Sequence, residues 1–114
     1  MKSFLFTAAI FLLIFQKNCM NRNPDIIPDC VQQRIDSIKK LPPFNPRAEV
    51  HEYELNSRKV YYFTADCCDQ YNTVSDQDCN YICAPSGGIT GKGDGNCADF
   101  REAKYLRLVW KDER

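Results

Sequence analysis

The chain has 114 residues with 15 basic and 15 acidic side chains, so it carries no net charge and no basic run for binding nucleic acid. Beyond residue 18, Leu, Ile, Val and Phe make up just under a fifth of the chain, which allows one domain with a small core. Seven cysteines in so short a chain are typical of exported proteins, in which disulfides supplement a small core.

Residues 1–18 have the pattern of a signal peptide. Lys2 precedes an uncharged run from position 4 to position 15, which is too short to span a bilayer, since spanning takes about 20 apolar residues. Cys19 follows directly, as in bacterial lipoproteins, although Gln16 and Asn18 stand where that signal prefers Leu and a small residue. We expect lipid attachment at Cys19. The alternatives are removal of Cys19 with the signal and an idle thiol.

Residues 19–28 are polar enough to act as a tether to a domain spanning residues 29–114. The first predicted element of this domain is a helix over residues 30–40, capped by Asp29 with Gln32 reaching back to the cap. Its apolar face would pack on a sheet, and Cys30 would attach it covalently. That face carries Val31, Ile35 and Ile38.

A β-hairpin is predicted next, with strands over residues 49–55 and 58–65 and a two-residue turn at Asn56-Ser57. One register of this hairpin places opposite charges and apolar partners across from each other. It pairs Glu54 with Lys59, Tyr53 with Val60, His51 with Tyr62, and Val50 with Phe63.

The remaining pattern predicts three more strands. Residues 71–75 and 80–83 would form two short strands around a turn at residues 76–78, and residues 104–110 a final strand with Leu106, Leu108 and Trp110 on one face. The predicted fold is α+β, with one N-terminal helix packed on a small, mostly antiparallel sheet and disulfides stapling the domain.

All five glycines of the chain fall within residues 87–95. The spacing does not fit a phosphate-binding loop, because Ser86 and Gly93 occupy positions where glycine and Ser or Thr are needed. One interpretation is a loop that needs positive φ angles and is pinned by Cys83 and Cys97. The other is a contact loop for a protein or glycan. Its candidate residues are Gly87, Gly88, Gly91, Lys92, Gly93, Asp94 and Gly95.

Behind a signal peptide, the cysteines after Cys19 are expected to form three disulfides rather than a zinc site. They are Cys30, Cys67, Cys68, Cys79, Cys83 and Cys97. The spacing leaves their pairing open, except that a bridge between the neighbours Cys67 and Cys68 is excluded as strained. If these two lie in a strand, their side chains point to opposite faces, and we expect them to bridge in different directions.

No residues suggest catalysis. His51 is the only histidine and lies mid-strand, no free cysteine remains beside it, and no serine lies in a nucleophile elbow. Glu52 and Glu54, opposite Lys59, have the pattern of a solvated surface. We therefore expect no enzyme activity and no cofactor.

A metal site is not expected either. Asp76, Asp78 and Asn80 match the first ligand positions of a calcium loop, but Tyr81 and Gly87 occupy the positions of its required Gly and Glu. The segment is therefore interpreted as a solvated turn.

Three segments carry a resemblance to a known family: residues 61–72 around the adjacent cysteines, residues 83–100 with the glycines, and the ending Trp110-Lys111-Asp112. They resemble a family of small bacterial secreted proteins and lipoproteins classed as a domain of unknown function. The resemblance implies an envelope location in Gram-negative bacteria and supplies no catalytic residues.

These observations predict a cell-envelope lipoprotein, in the periplasm or at the outer membrane, that acts as a binding or structural module. Cys19 would attach it to the membrane, and its partner would be a protein or a glycan. A protein secreted without an anchor is the alternative location. An inhibitor of proteases or other hydrolases is the alternative function.

Overall fold

A computed structural model describes residues 26–114, so the predicted signal peptide, Cys19 and most of the predicted tether lie outside the described residues. The described part consists of one α-helix, five antiparallel strands and a 3₁₀ helix, which confirms the predicted α+β fold. No helix within residues 26–114 is long and apolar enough to cross a membrane. The elements are α1 (Asp29–Lys39), β1 (Glu49–Leu55), β2 (Arg58–Phe63), β3 (Tyr71–Ser75), β4 (Tyr81–Gly87), the 3₁₀ helix (Ala98–Glu102) and β5 (Lys104–Lys111).

The five strands form one sheet in the order β4-β3-β2-β1-β5. The predicted hairpin is confirmed in every pair of its register, from Val50 opposite Phe63 to Glu54 opposite Lys59. Asn56 and Ser57 form the two-residue turn with φ angles of 50° and 62°, as a turn that follows the twist of the strands requires. Strand β2 ends at Phe63, two residues earlier than predicted.

Helix α1 packs on one face of the sheet and forms the main core with it. The predicted apolar face of α1 is buried against Val50, Tyr61 and Phe63. Arg34 stacks on the Phe63 ring at 3.9 Å and extends the contact toward β3. This packing stabilises a helix that is too short to be stable alone.

The predicted cap of α1 is wrong. Pro28 is the N-cap, so Asp29 is already the first helical residue, and the start of the helix has no side-chain hydrogen bond. The Gln32 side chain donates to Asp36 instead of reaching back. The helix ends at Lys39, one residue before the predicted end.

Two later strands also differ from the prediction. Strand β4 extends to Gly87 and includes part of the predicted glycine loop. Strand β5 has irregularities in its pairing with β1, one of them where the partners change from Trp110 to Leu108. As a result, Trp110 packs against the core under α1, whereas Leu108 pairs with His51 and is 46% exposed. Leu108 and Trp110 therefore do not share one face.

Disulfides connect α1 and the glycine segment to other parts of the fold. Cys30 bridges to Cys79, as expected for the covalent attachment of α1, and Cys83 bridges to Cys97 at the base of the glycine segment. Cys67 and Cys68 are joined to each other. Two predictions are therefore wrong: that a bridge between these neighbours is excluded, and that they bridge in different directions. Both residues lie in the loop after β2, where the alternation of a strand does not apply.

The prediction for Glu52 is also wrong, because Glu52 is a buried residue and not part of a solvated surface. Its side chain is 2% exposed and accepts a hydrogen bond from the Tyr61 hydroxyl at 3.0 Å. Arg107, brought in by β5, lies 3.4 Å from the same carboxylate, and Lys59 lies 3.7 Å from it. Burial and the bond to Glu52 raise the pKa of the Tyr61 hydroxyl.

Candidate binding surface

The sheet face opposite α1 has its own, smaller core. Val60, Val74 and Cys83 are buried there. The segment that carries the 3₁₀ helix covers this cluster with Cys97 and Phe100, and the bridge from Cys83 to Cys97 fixes that cover in place. The cover is short, so the part of this face formed by β1 and β5 is left partly open.

An aromatic cluster lies on this open part, and we call it the aromatic patch. The Tyr53 ring is at its centre, with ring centroids 4.9 Å from Phe100, 5.2 Å from Tyr105 and 6.3 Å from Tyr62. Tyr105 is 50% exposed at the side where β5 ends the sheet. Within residues 26–114, this is the largest group of contacting aromatic rings. The members of the patch are His51, Tyr53, Tyr62, Phe100 and Tyr105.

His51 contacts Tyr105 at the open side of the patch. Its Nε2 lies 3.0 Å from a carboxylate oxygen of Glu49, and its Nδ1 lies 3.1 Å from the Tyr105 hydroxyl. Since a carboxylate only accepts, Nε2 carries a proton and donates to Glu49. His51 thus has a positioning role for Tyr105.

The tyrosine hydroxyls of the patch are hydrogen-bonding groups on a surface formed by aromatic rings. Burial, together with the neighbouring Tyr62 and Tyr105, raises the pKa of Tyr53. The Tyr62 hydroxyl lies 2.9 Å from Ser86 Oγ, which also accepts a hydrogen bond from the Asn72 amide at 3.0 Å. Through Ser86, the patch continues into the segment that carries the glycines.

The glycine segment is a hydrogen-bonded loop folded back on β4. Gly93 N–H donates to the Gly87 carbonyl at 3.0 Å, and Asp94 N–H donates to the Ala84 carbonyl at 2.9 Å. All five glycines have positive φ, and at Gly93 a side chain would collide with the Ala84 carbonyl oxygen. The predicted need for positive φ and the predicted pinning by Cys83 and Cys97 are both confirmed.

The polar candidates of this loop have different roles. Asp94 accepts a hydrogen bond from the Tyr81 hydroxyl, which lowers the pKa of Asp94 and raises that of Tyr81 to about 12. Asp94 therefore holds the loop to β4. In contrast, the Lys92 ammonium has no carboxylate partner within 4.0 Å in residues 26–114. At the tip of the loop, Ile89 is 90% exposed.

The calcium-like segment is a turn stabilised by its own hydrogen bonds. One oxygen of Asp76 accepts from the backbone N–H groups of Asp78 and Asn80, each at 2.9 Å. The hydrogen bonds from Asn80 are the main cause of the lowered pKa of Asp76. Residues 26–114 contain no group of three or more His, Cys, Asp or Glu side chains placed to hold a metal ion.

A family model described as a domain of unknown function, DUF6970, matches residues 36–112. The chain belongs to this family. The match covers all five strands of this DUF6970 protein, the whole aromatic patch and the glycine segment, and it begins within α1. No curated protein and no solved structure matches the chain.

Sequence reasoning found the glycine loop of this DUF6970 domain but missed the aromatic patch. A signal was available, because the predicted hairpin already places His51, Tyr53 and Tyr62 on one face. Tyr105 could not be added, since its position opposite Tyr53 depends on the irregular pairing of β5 with β1. The structure brings the predicted loop and the missed patch together at Ser86.

Proposed function

We propose that the protein is a binding module of the bacterial cell envelope, held at the membrane by a lipid on Cys19, and that the aromatic patch contacts its partner, a protein or a glycan. The observation that carries the proposal is the half-exposed Tyr105 at the open side of a cluster of contacting rings. Tyrosine offers a large apolar ring with a polar end, and such rings are enriched where proteins meet their partners.

The scaffold suits this role because it keeps the surface in one arrangement. Four of the five patch residues lie on paired strands, and the fifth, Phe100, lies next to the bridge from Cys83 to Cys97. Side chains on such elements lose little freedom when a partner binds. A predicted tether from residue 20 to residue 28 would keep the domain within about 30 Å of its anchor, which is the length of this segment when it is fully extended.

Replacing an exposed ring of the patch tests the proposal. The protein would be purified with its own N-terminal segment and used to capture partners from envelope extract, as wild type and as Tyr105→Ala. Leu41→Ala is the matched control, because Leu41 is 51% exposed and lies just beyond α1, away from the patch. We expect a ligand that the wild type and Leu41→Ala retain and Tyr105→Ala loses, with unchanged thermal unfolding in all three. Equal capture by Tyr105→Ala would contradict the proposal.

The exposed Ile89 favours a second candidate, an inhibitor of proteases or other hydrolases. An apolar side chain at the tip of a disulfide-pinned loop has the accessibility that a protease specificity pocket requires. In this case, the wild type should inhibit at least one member of a panel of secreted proteases at micromolar concentration, and Ile89→Ala should not. No inhibition across the panel would remove this candidate.

A further inference from the structure

A cleft of about 580 Å³ lies between the glycine segment and the 3₁₀ helix, beside the aromatic patch. Its lining is about half polar and half apolar, and Pro85, Ala98 and Phe100 supply apolar walls. Two cations line it, Lys92 from the glycine segment and Arg101 from the 3₁₀ helix. Ligand sites are typically concave spaces in which a few polar or charged groups lie among apolar ones.

The charge of the cleft indicates the charge of its occupant. Neither Lys92 nor Arg101 has a carboxylate within 4.0 Å in the described part of the chain. The other charged residues of the 3₁₀ helix, Asp99 and Glu102, do not line the cleft. A guanidinium and an ammonium across a small space can both donate to one carboxylate, and Arg can do so with two parallel hydrogen bonds.

The surface beside the cleft indicates the chemistry of the uncharged part of the ligand. Phe100 is both a wall of the cleft and a member of the aromatic patch, with its ring nearly parallel to Tyr62 at 21° and 4.9 Å from the Tyr53 ring. The cleft therefore continues onto a row of rings. The C–H face of a sugar ring packs on the electron-rich face of an aromatic ring, and hydroxyl groups at the edge can bond to tyrosine and serine hydroxyls.

We propose that the cleft binds the carboxylate of an acidic saccharide, with Lys92 and Arg101 as its charged contacts, and that the neighbouring sugars lie on the aromatic patch. This inference rests on the proposed binding function and narrows its partner to a carboxylated glycan. Lys92 is thus assigned a role within the predicted contact loop, whereas the glycines give that loop its shape.

Oligomers of polygalacturonic acid are a suitable probe, because methyl esterification removes their charge and leaves the sugar backbone unchanged. Binding of both forms to the protein, purified with its own N-terminal segment, would be measured by calorimetry. The variants are Lys92→Ala and Arg101→Ala, and Lys40→Ala is the control because it removes an exposed cation beyond α1. Since the replaced side chains are exposed, circular dichroism should show all three variants folded.

We expect the acidic oligomer to bind, the esterified oligomer to bind much more weakly, and Lys92→Ala and Arg101→Ala each to lose about tenfold in affinity, as for a charged hydrogen bond. Lys40→Ala should bind like the wild type. The inference would be overturned by no binding of the acidic oligomer, by equal binding of the ester, or by unchanged affinity in both cleft variants. If Tyr105→Ala still loses an envelope ligand in that event, the binding function stands and only the acidic saccharide is excluded.

Discussion

Asp112 holds Arg114 against the end of α1. The Asp112 carboxylate accepts from the Arg114 guanidinium at 2.7 Å, and the same guanidinium donates to the Lys39 and Leu41 carbonyls, each at 2.9 Å. The last carbonyls of a helix have no partner within the helix, so a cation there supplies both hydrogen bonds and a favourable charge. The C-terminus of the chain thereby fastens the helix that covers the main core.

Acid should weaken this contact. The hydrogen bonds from Arg114 lower the pKa of Asp112 from 3.8 to about 2. Because the folded-state pKa lies below the unfolded one, the contribution of Asp112 is fully present above about pH 4 and is lost as the pH falls toward 2. Thermal unfolding of the wild type and Asp112→Asn should therefore differ most near neutral pH and converge in acid. A constant difference from pH 7 to pH 2 would contradict this role.

Glu52 and Glu54 provide a matched pair for the buried charge. Glu52→Ala leaves Arg107 and the Tyr61 hydroxyl without their carboxylate in a buried site, and we expect a loss of about 3 kcal/mol in the free energy of unfolding. Glu54 is exposed, so Glu54→Ala should cost less than about 0.5 kcal/mol. Urea unfolding measures both. Equal effects of the two changes would show that the Glu52 contacts do not stabilise the fold.

The contrast between these two glutamates shows what could be predicted from the sequence. The hairpin register was predictable because each strand alternates and opposite charges face each other across the turn. The contact of Glu52 with Arg107 was not, since Arg107 lies 55 residues away and arrives on a strand whose irregular pairing no local pattern reveals. Local contacts follow from spacing, whereas burial depends on which distant strand becomes the neighbour.

The aromatic patch and the pairing of the cysteines could not be predicted in full for the same reason. Tyr53 and Tyr62 share a face by alternation, but Phe100 joins them only because the bridge from Cys83 to Cys97 brings the 3₁₀ helix over the sheet. The spacing of the cysteines allowed many pairings, and the choice depends on the three-dimensional path of the chain.

The glycines of the loop should differ in their tolerance of a side chain. Gly93 and Gly91 have similar positive φ angles, 78° and 73°, but a Cβ at Gly93 would collide with the Ala84 carbonyl oxygen. Within residues 26–114, no atom outside the adjacent residues lies within 4 Å of a Cβ at Gly91. Both alanine variants bear the cost of the left-handed backbone, about 1 kcal/mol. Gly93→Ala should unfold at a clearly lower denaturant concentration than Gly91→Ala. Equal midpoints would contradict the close packing of the loop on β4.

Lipid attachment at Cys19 is tested by metabolic labelling with a fatty-acid precursor. The wild type should incorporate the label and remain with the membranes, and Cys19→Ala should incorporate none. Cys30→Ala is a useful control, since it removes a cysteine of the folded domain and should still be labelled. Equal labelling of the wild type and Cys19→Ala would rule out the lipoprotein assignment and leave a secreted protein.

The fold and the proposed binding surface both depend on disulfides formed outside the cytoplasm, because these cross-links hold together the small core and the binding surface. Mass spectrometry of the native protein recovered from cells, alkylated during lysis and digested without reduction, tests for them directly. We expect linked peptides that join Cys30 to Cys79 and Cys83 to Cys97. Alkylated thiols at these four positions in natively folded protein would contradict this expectation.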